Sequence, residues 1–144
     1  MVDISRKQPT LRKAVARGSV FMNPETLERI HDGKVPKGDV LCVAKIAGIM
    51  AAKKTSSIIP LCHPLNITMI TVDFMLKTKE SRIDIEATVK VNGQTGAEME
   101  ALSAVAAASL AIYDMCKAVD REMIISDIML IEKRGGRSGT FRRK

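Results

Sequence analysis

Residues 95–120, TGAEMEALSAVAAASLAIYDMCKAVD, constrain the fold more than any other stretch. No Gly or Pro interrupts residues 97–119. Leu102, Val105, Ala106, Leu110 (or Ser109), Ile112 and Tyr113 recur every three to four residues, the period of a helix with a packed face. Thr95 and Glu98 have the Ser/Thr-x-x-Glu spacing of a capping box, so the helix is expected to begin there. The side chains between the larger ones are mostly Ala and Ser, which lets such a helix lie close on a sheet or a second helix. Its middle is therefore expected to be buried on nearly all sides. Charge is confined to the ends: Glu98 and Glu100 at the start, Asp114 and Lys117 near the finish, three residues apart and so neighbours on one face. By spacing alone these are a cap and a surface ion pair; membership of a site is the sharper alternative.

The remaining elements follow in order. Ala14, Ala16, Val20 and Met22 share one parity of a strand over residues 10–22, with Arg12, Lys13 and Arg17 set among them. Asn23-Pro24 reads as an N-cap and first helical position, opening a short helix to His31 with Leu27 and Ile30 inward. Asp39 is placed to cap a second helix over residues 40–54, whose expected apolar face is Leu41, Val43, Ala44, Ala47 and Met50. Gly48 is costly inside a helix and implies close packing. Strands over 67–77 and 82–92 form a hairpin across residues 78–81, with Ile70, Val72, Phe74 and Leu76 on one face of the first. The second alternates strictly, with Ile83, Ile85, Ala87, Val89 and Val91 inward. An isoleucine-rich strand over 123–133 closes the set. Strand, two helices, strand, strand, long helix, strand predicts an α+β ferredoxin-like sandwich: four antiparallel strands with helices on one face.

At 144 residues the chain is expected to form one catalytic domain over 1–132, followed by a basic tail over 133–144. The net charge is +7, and Lys133, Arg134, Arg137, Arg142, Arg143 and Lys144 supply six of those charges with no acid among them. The tail reads as solvated and loose, or as an arm that orders over phosphate. No apolar run approaches the roughly 20 residues of a membrane span, and the opening MVDISRKQPT has no secretory apolar segment, so the cytoplasm is the expected compartment. Cys42, Cys62 and Cys116 are odd in number and lack a CxxC pair, which argues for reduced thiols and against a zinc centre. In SIIPLCHPLN, residues 57–66, Pro60 and Pro64 stiffen the backbone on both sides of His63 and so aim its imidazole. Lys37 and Lys53 flank the second helix and are either solvated or functional.

Five blocks then carry a resemblance: KGDV at 37–40, AGIMAAKKT at 47–55, IPLCHPL at 59–65, TGAEMEAL at 95–102 and IYDMCKAVD at 112–120. Together, and in this order along essentially the whole chain, they resemble the MoaC family of molybdenum cofactor biosynthesis, the cyclic pyranopterin monophosphate synthases. The resemblance implies a lyase acting on a cyclised dihydro-GTP nucleotide, 3',8-cyclo-7,8-dihydroguanosine 5'-triphosphate, with release of pyrophosphate. It implies catalytic roles for Asp114, Lys117 and Lys37. Substrate contacts are implied at Leu61, Cys62, His63, Met99, Glu100, Glu98 and Lys53, with Arg12 a further phosphate contact. The sequence calls for no cofactor or metal of its own, and Mg²⁺ arriving with the triphosphate is left open. The expected assembly is a homo-oligomer, a hexamer built as a trimer of dimers. Gln94, Ala97 and Arg137 depart from residues common in the family, and none of them is a proposed acid or base.

Helix geometry adds one constraint. Fourteen residues separate Glu100 from Asp114, which at 1.5 Å per residue is roughly 21 Å along one helix. One reacting atom cannot touch both from the same helix, so either an extended nucleotide spans the ends or two subunits share a site. A nucleic-acid-binding module is the competing class, but one Tyr, three Phe and no Trp leave no visible stacking surface.

Overall fold

The computed structural model describes residues 1–144. The elements are β1 (Thr10–Phe21), α1 (Pro24–His31), α2 (Val40–Lys53), the single turn α3 (Thr55–Ile58), β2 (Ile67–Lys77), β3 (Arg82–Gly93), α4 (Glu98–Cys116), β4 (Ile124–Arg134) and β5 (Phe141–Arg142). All strand pairs are antiparallel, in the order β2-β3-β1-β4-β5. The first four make the expected ferredoxin-like sheet. Helices lie against one face, with α4 packed on β1, β3 and β4, and α2 packed on α4 and β2.

Period-two alternation places that core. Ala14, Ala16 and Val20 of β1, Val72 of β2 and Ile83, Ile85, Ala87, Val89 and Val91 of β3 are all at most 1% exposed. Against them α4 buries Ala101, Ala104, Val105, Ala108 and Ile112. Each fully buried Val or Ile contributes on the order of 1.5–3 kcal/mol. Two glycines permit the close approach. A Cβ at Gly18 would stand 2.7 Å from Val105 Cγ1, and one at Gly48 would stand 2.9 Å from the Ala104 carbonyl. The 19-residue α4 is also apolar enough to cross a membrane by length and composition, contrary to the reading that no run approaches a span; here it is the core helix.

Two expectations are corrected by packing, and one open alternative is decided by it. The buried face of α2 is Val40, Ala44, Gly48 and Ala52, while Val43 and Met50 are 41% and 51% exposed. The Gly48 contact with α4 sets the rotation of the helix, and residues 43 and 50 then turn outward. On α4, Leu110 is exposed and Ser109 is buried, its hydroxyl donating to the Val105 carbonyl at 2.8 Å. The capping box does not form. The N-cap is Ala97, Glu98 is the first helical residue, and no side chain caps the helix start. Glu98 instead turns to Lys133, 3.4 Å away.

The basic tail also differs from a loose arm. Phe141 and Arg142 pair with Lys133 and Glu132 as a short fifth strand. Glu132 stands just before the tail and draws in Arg134 and Arg142 at 2.7 and 2.8 Å. The Arg143 amide and side chain donate to the carbonyls of Ile131 and Leu130. The acid that organises this segment lies one residue outside the stretch whose charges were counted together.

Candidate active site

Polar side chains gather at the two ends of α4. At its C-terminal end the turn closed by Gly38 N–H donating to the Val35 carbonyl presents Lys37 across 77 residues of sequence to Asp114. Lys37 Nζ donates to Asp114 Oδ2 at 2.8 Å and to the Asp114 carbonyl at 2.9 Å. Lys117 Nζ lies 2.7 Å from Asp114 Oδ1. All three side chains are open to solvent. The hydrogen bond from Lys117, then that from Lys37, holds the Asp114 carboxyl down to about 2, and Asp114 in turn raises Lys117 above the ordinary lysine value. At neutral pH the cluster is therefore one carboxylate between ammonium groups. Lys117 is thereby held as a donor to Asp114 and disfavoured as a proton acceptor.

At the N-terminal end a cavity of about 420 Å³ is lined by Leu61, Cys62, His63, Glu98, Met99 and Glu100, together with Val2, Ile4, Lys7, Leu65, Thr95 and Gly96. The 59–62 turn, closed by Cys62 N–H donating to the Ile59 carbonyl with Pro60 inside it, brings Cys62 and His63 to this wall. Glu100 is 4% exposed, and burial followed by the charge of Glu98 pushes its carboxyl up. Burial and then the charge of Glu100 raise the Cys62 thiol, so it is not a thiolate near neutral pH. Gly96 leaves room for the Glu98 carboxylate, which any Cβ at that position would strike.

An adjoining cavity of about 170 Å³ shares Lys7, Thr95, Gly96 and Glu98 with the first and adds Arg12, Lys13, Lys133, Arg134 and Ser138. Arg12 spends Nε and Nη2 on the carbonyls of Gly93 and Gln94, at 2.9 and 3.1 Å, so it braces the loop entering α4 while lining the cavity. Lys53 lies elsewhere, exposed beside a third hollow with Ile49, Ile67 and Ile70; only Leu65 is common to both. The resemblance named Lys37, Asp114 and Lys117 as catalytic and His63, Glu98 and Glu100 as substrate contacts; the structure brings the first three together at one end of α4 and the other three to one cavity at its opposite end. Sequence reasoning missed Lys7, Lys13 and Lys133 as neighbours of the glutamates. The one available signal was the surplus of cations near the termini. No group of three or more His, Cys, Asp or Glu is arranged to hold a metal ion.

A ferredoxin-like chain with lysines on one carboxylate, and carboxylates, thiol and imidazole lining a cavity beside a cluster of cations, has the makeup of an acid-base enzyme for an anionic small molecule. The comparisons with known proteins narrow that class. The model of the MoaC family matches residues 1–136, and the chain belongs to that family. Curated relatives named cyclic pyranopterin monophosphate synthase include those of Pelotomaculum thermopropionicum, 62% identical over 144 residues, and Thermoanaerobacter sp. (strain X514), 60% identical over 144 residues. All of this chain is covered in both cases, with 85% and 91% of the respective relatives. The relative of that name from Chloroflexus aurantiacus is 60% identical over 143 residues, covering 99% of this chain and 88% of its own.

Proposed function

We propose that this chain catalyses the reaction for which those relatives are named, taking 3',8-cyclo-7,8-dihydroguanosine 5'-triphosphate to cyclic pyranopterin monophosphate with release of pyrophosphate. The observation that carries the reading is the Lys37–Asp114–Lys117 cluster, at 2.8 and 2.7 Å, in a chain of this family. Closing the cyclic phosphate requires a hydroxyl to attack the α-phosphorus, with loss of the hydroxyl proton and departure of pyrophosphate. Charged lysines aimed at the phosphates stabilise the charge that develops there. Asp114, a carboxylate down to about 2, is an orienting counter-ion for them and a poor proton acceptor. Glu100, with its raised pKa, and His63 on the same cavity wall are the better carriers for the proton transfers of ring rebuilding. Lys7, Lys13 and Lys133 add positive charge for the triphosphate, which brings Mg²⁺ with it as substrate.

Glu98 and Glu100 open α4 while Asp114 lies in its last turn, so the two clusters stand a helix length apart within one copy. We therefore assign the complete site to two copies of the chain; the family resemblance implies that they belong to a homohexamer, a trimer of dimers, and the cytoplasm is the compartment we expect for it. The glutamate end of one copy would face the lysine end of another. The activity is tested by incubating the protein with the cyclised nucleotide and following pyrophosphate and pterin together, beside folded Asp114→Asn and Lys117→Ala variants. Wild type is expected to make both products and the variants at most about one hundredth as fast. Binding of the nucleotide by wild type without conversion would overturn the reading and leave a binding role.

A further inference from the structure

Asp120 is the one aspartate buried in this fold, 4% exposed, and it takes no part in the site described above. Its carboxylate is spoken for on both oxygens. Oδ2 accepts from the Asn23 amide at 2.8 Å and from the Thr26 hydroxyl at 3.1 Å, and Oδ1 accepts from the Glu122 amide at 3.1 Å. Asn23 is the N-cap of α1, and its own side chain makes no capping bond. The anion at the positive end of α1 is thus supplied from 97 residues away.

What the carboxylate joins is informative. On one side is the turn that ends α4: Asp120 N–H and Val119 N–H both donate to the Cys116 carbonyl, closing a turn that contains Lys117. On the other side is α1, whose C-terminal end is wound tightly into the following loop. There Asp32 N–H donates to the Glu28 carbonyl and Lys34 N–H to that of Arg29, and the buried Val35 begins the turn that carries Lys37. Asp120 therefore couples the two chain segments that deliver Lys37 and Lys117 to Asp114.

We propose that Asp120 is a positioning residue: by tying the start of α1 to the turn after α4, it sets the distance at which Lys37 and Lys117 meet the Asp114 carboxylate. Misplacement of a reacting group by about 1 Å can cost on the order of a hundredfold in rate. The consequence for turnover rests on the function proposed above; the consequence for geometry does not.

The test is Asp120→Asn, which keeps the shape but sets an amide NH₂ against donors, with Thr26→Val as a milder variant that removes one bond. Asp114 is observed by carboxyl ¹³C NMR in the intact protein between pH 3 and 7. In wild type it should keep close to its ionised shift until the acid end of that range, because the lysines hold its carboxyl well below the usual value. In Asp120→Asn it is expected to titrate inside that range, with kcat about tenfold lower and KM within about twofold of wild type. Thr26→Val should move both in the same direction by less, and is read alone if Asp120→Asn does not fold. A folded variant in which Asp114 remains ionised down to pH 3 overturns the proposal whatever its activity, because a loss of stability alone would leave the lysines in place. If the titration moves but wild type makes no pterin, the positioning role stands and the proposed activity fails.

Discussion

Lys37 Nζ donates to both the side chain and the main chain of Asp114, at 2.8 and 2.9 Å, so the lysine is bound to a specific turn of α4 as well as to a charge. The second contact restricts where the ammonium can go. A lysine held by the carboxylate alone would swing with it. Held by both, it stays beside the α4 terminus while the other carboxylate oxygen of Asp114 meets Lys117.

Asp114→Asn should expose this relationship in stability as well as in rate. The folded carboxyl sits at about 2 against 3.8 when unperturbed, so its contribution is present above about pH 4 and is lost as the pH falls through about 2. The gap in urea midpoint between wild type and variant should be widest between pH 5 and 7 and close toward pH 2. A gap independent of pH would mean that the two ammonium groups do not stabilise the native carboxylate.

Glu100→Gln should separate stability from function. Burial raises the Glu100 carboxyl above 4.5, so its ionisation opposes folding as the pH rises past that value. The variant is expected to melt at a higher temperature than wild type at pH 7, at nearly the same temperature at pH 4, and to turn over about a hundredfold more slowly. Calorimetry at the two pH values checks the first part, and a wild type that melts higher at pH 7 would sink it.

Gly48→Ala tests the close approach of α2 to α4. A better helix former gains up to about 1 kcal/mol on propensity, but its Cβ would meet the Ala104 carbonyl at 2.9 Å and Val72 Cγ2 at 3.1 Å. Overpacking of this kind costs about 1–3 kcal/mol, so a net loss on the order of 1 kcal/mol is expected in urea unfolding. A stabilised variant would show that α2 can lift away freely.

Mixing tests the shared site. An Asp114→Asn chain and a Glu100→Gln chain, each nearly inactive alone, should regain a measurable part of wild-type turnover when unfolded and refolded together. Hybrids with one intact glutamate end facing one intact lysine end account for the recovery. Activity no greater than the sum of the parents would place the whole site within one copy.

Much of this was legible in the residues themselves. The alternation of β3 placed Ile83, Ile85, Ala87, Val89 and Val91 in the core, and all are at most 1% exposed. The Asp39 cap of α2 is present, its Oδ1 accepting from the Cys42 amide at 3.0 Å. The rotation of α2 was not legible, because its apolar residues occur all around the helix and only the Gly48 contact chooses among them. The capping box failed because the helix starts two residues later than the Thr95–Glu98 spacing implies, which leaves Glu98 as its first residue, beside Lys133.

Element type, strand faces and the pairing of Asp114 with Lys117 were determined by the sequence alone, because each depends on periodicities of two or about 3.6 residues that neighbours impose on one another. The meeting of Lys37 with Asp114, the gathering of the tail cations on Glu132, the cations beside Glu98 and the bond from the Asn23 amide to Asp120 were decided only by the tertiary structure. Those partners lie in separate elements or across chain reversals. Their proximity follows from which strands pair and how closely α4 settles on Gly18 and Gly48, and local pattern carries no record of either.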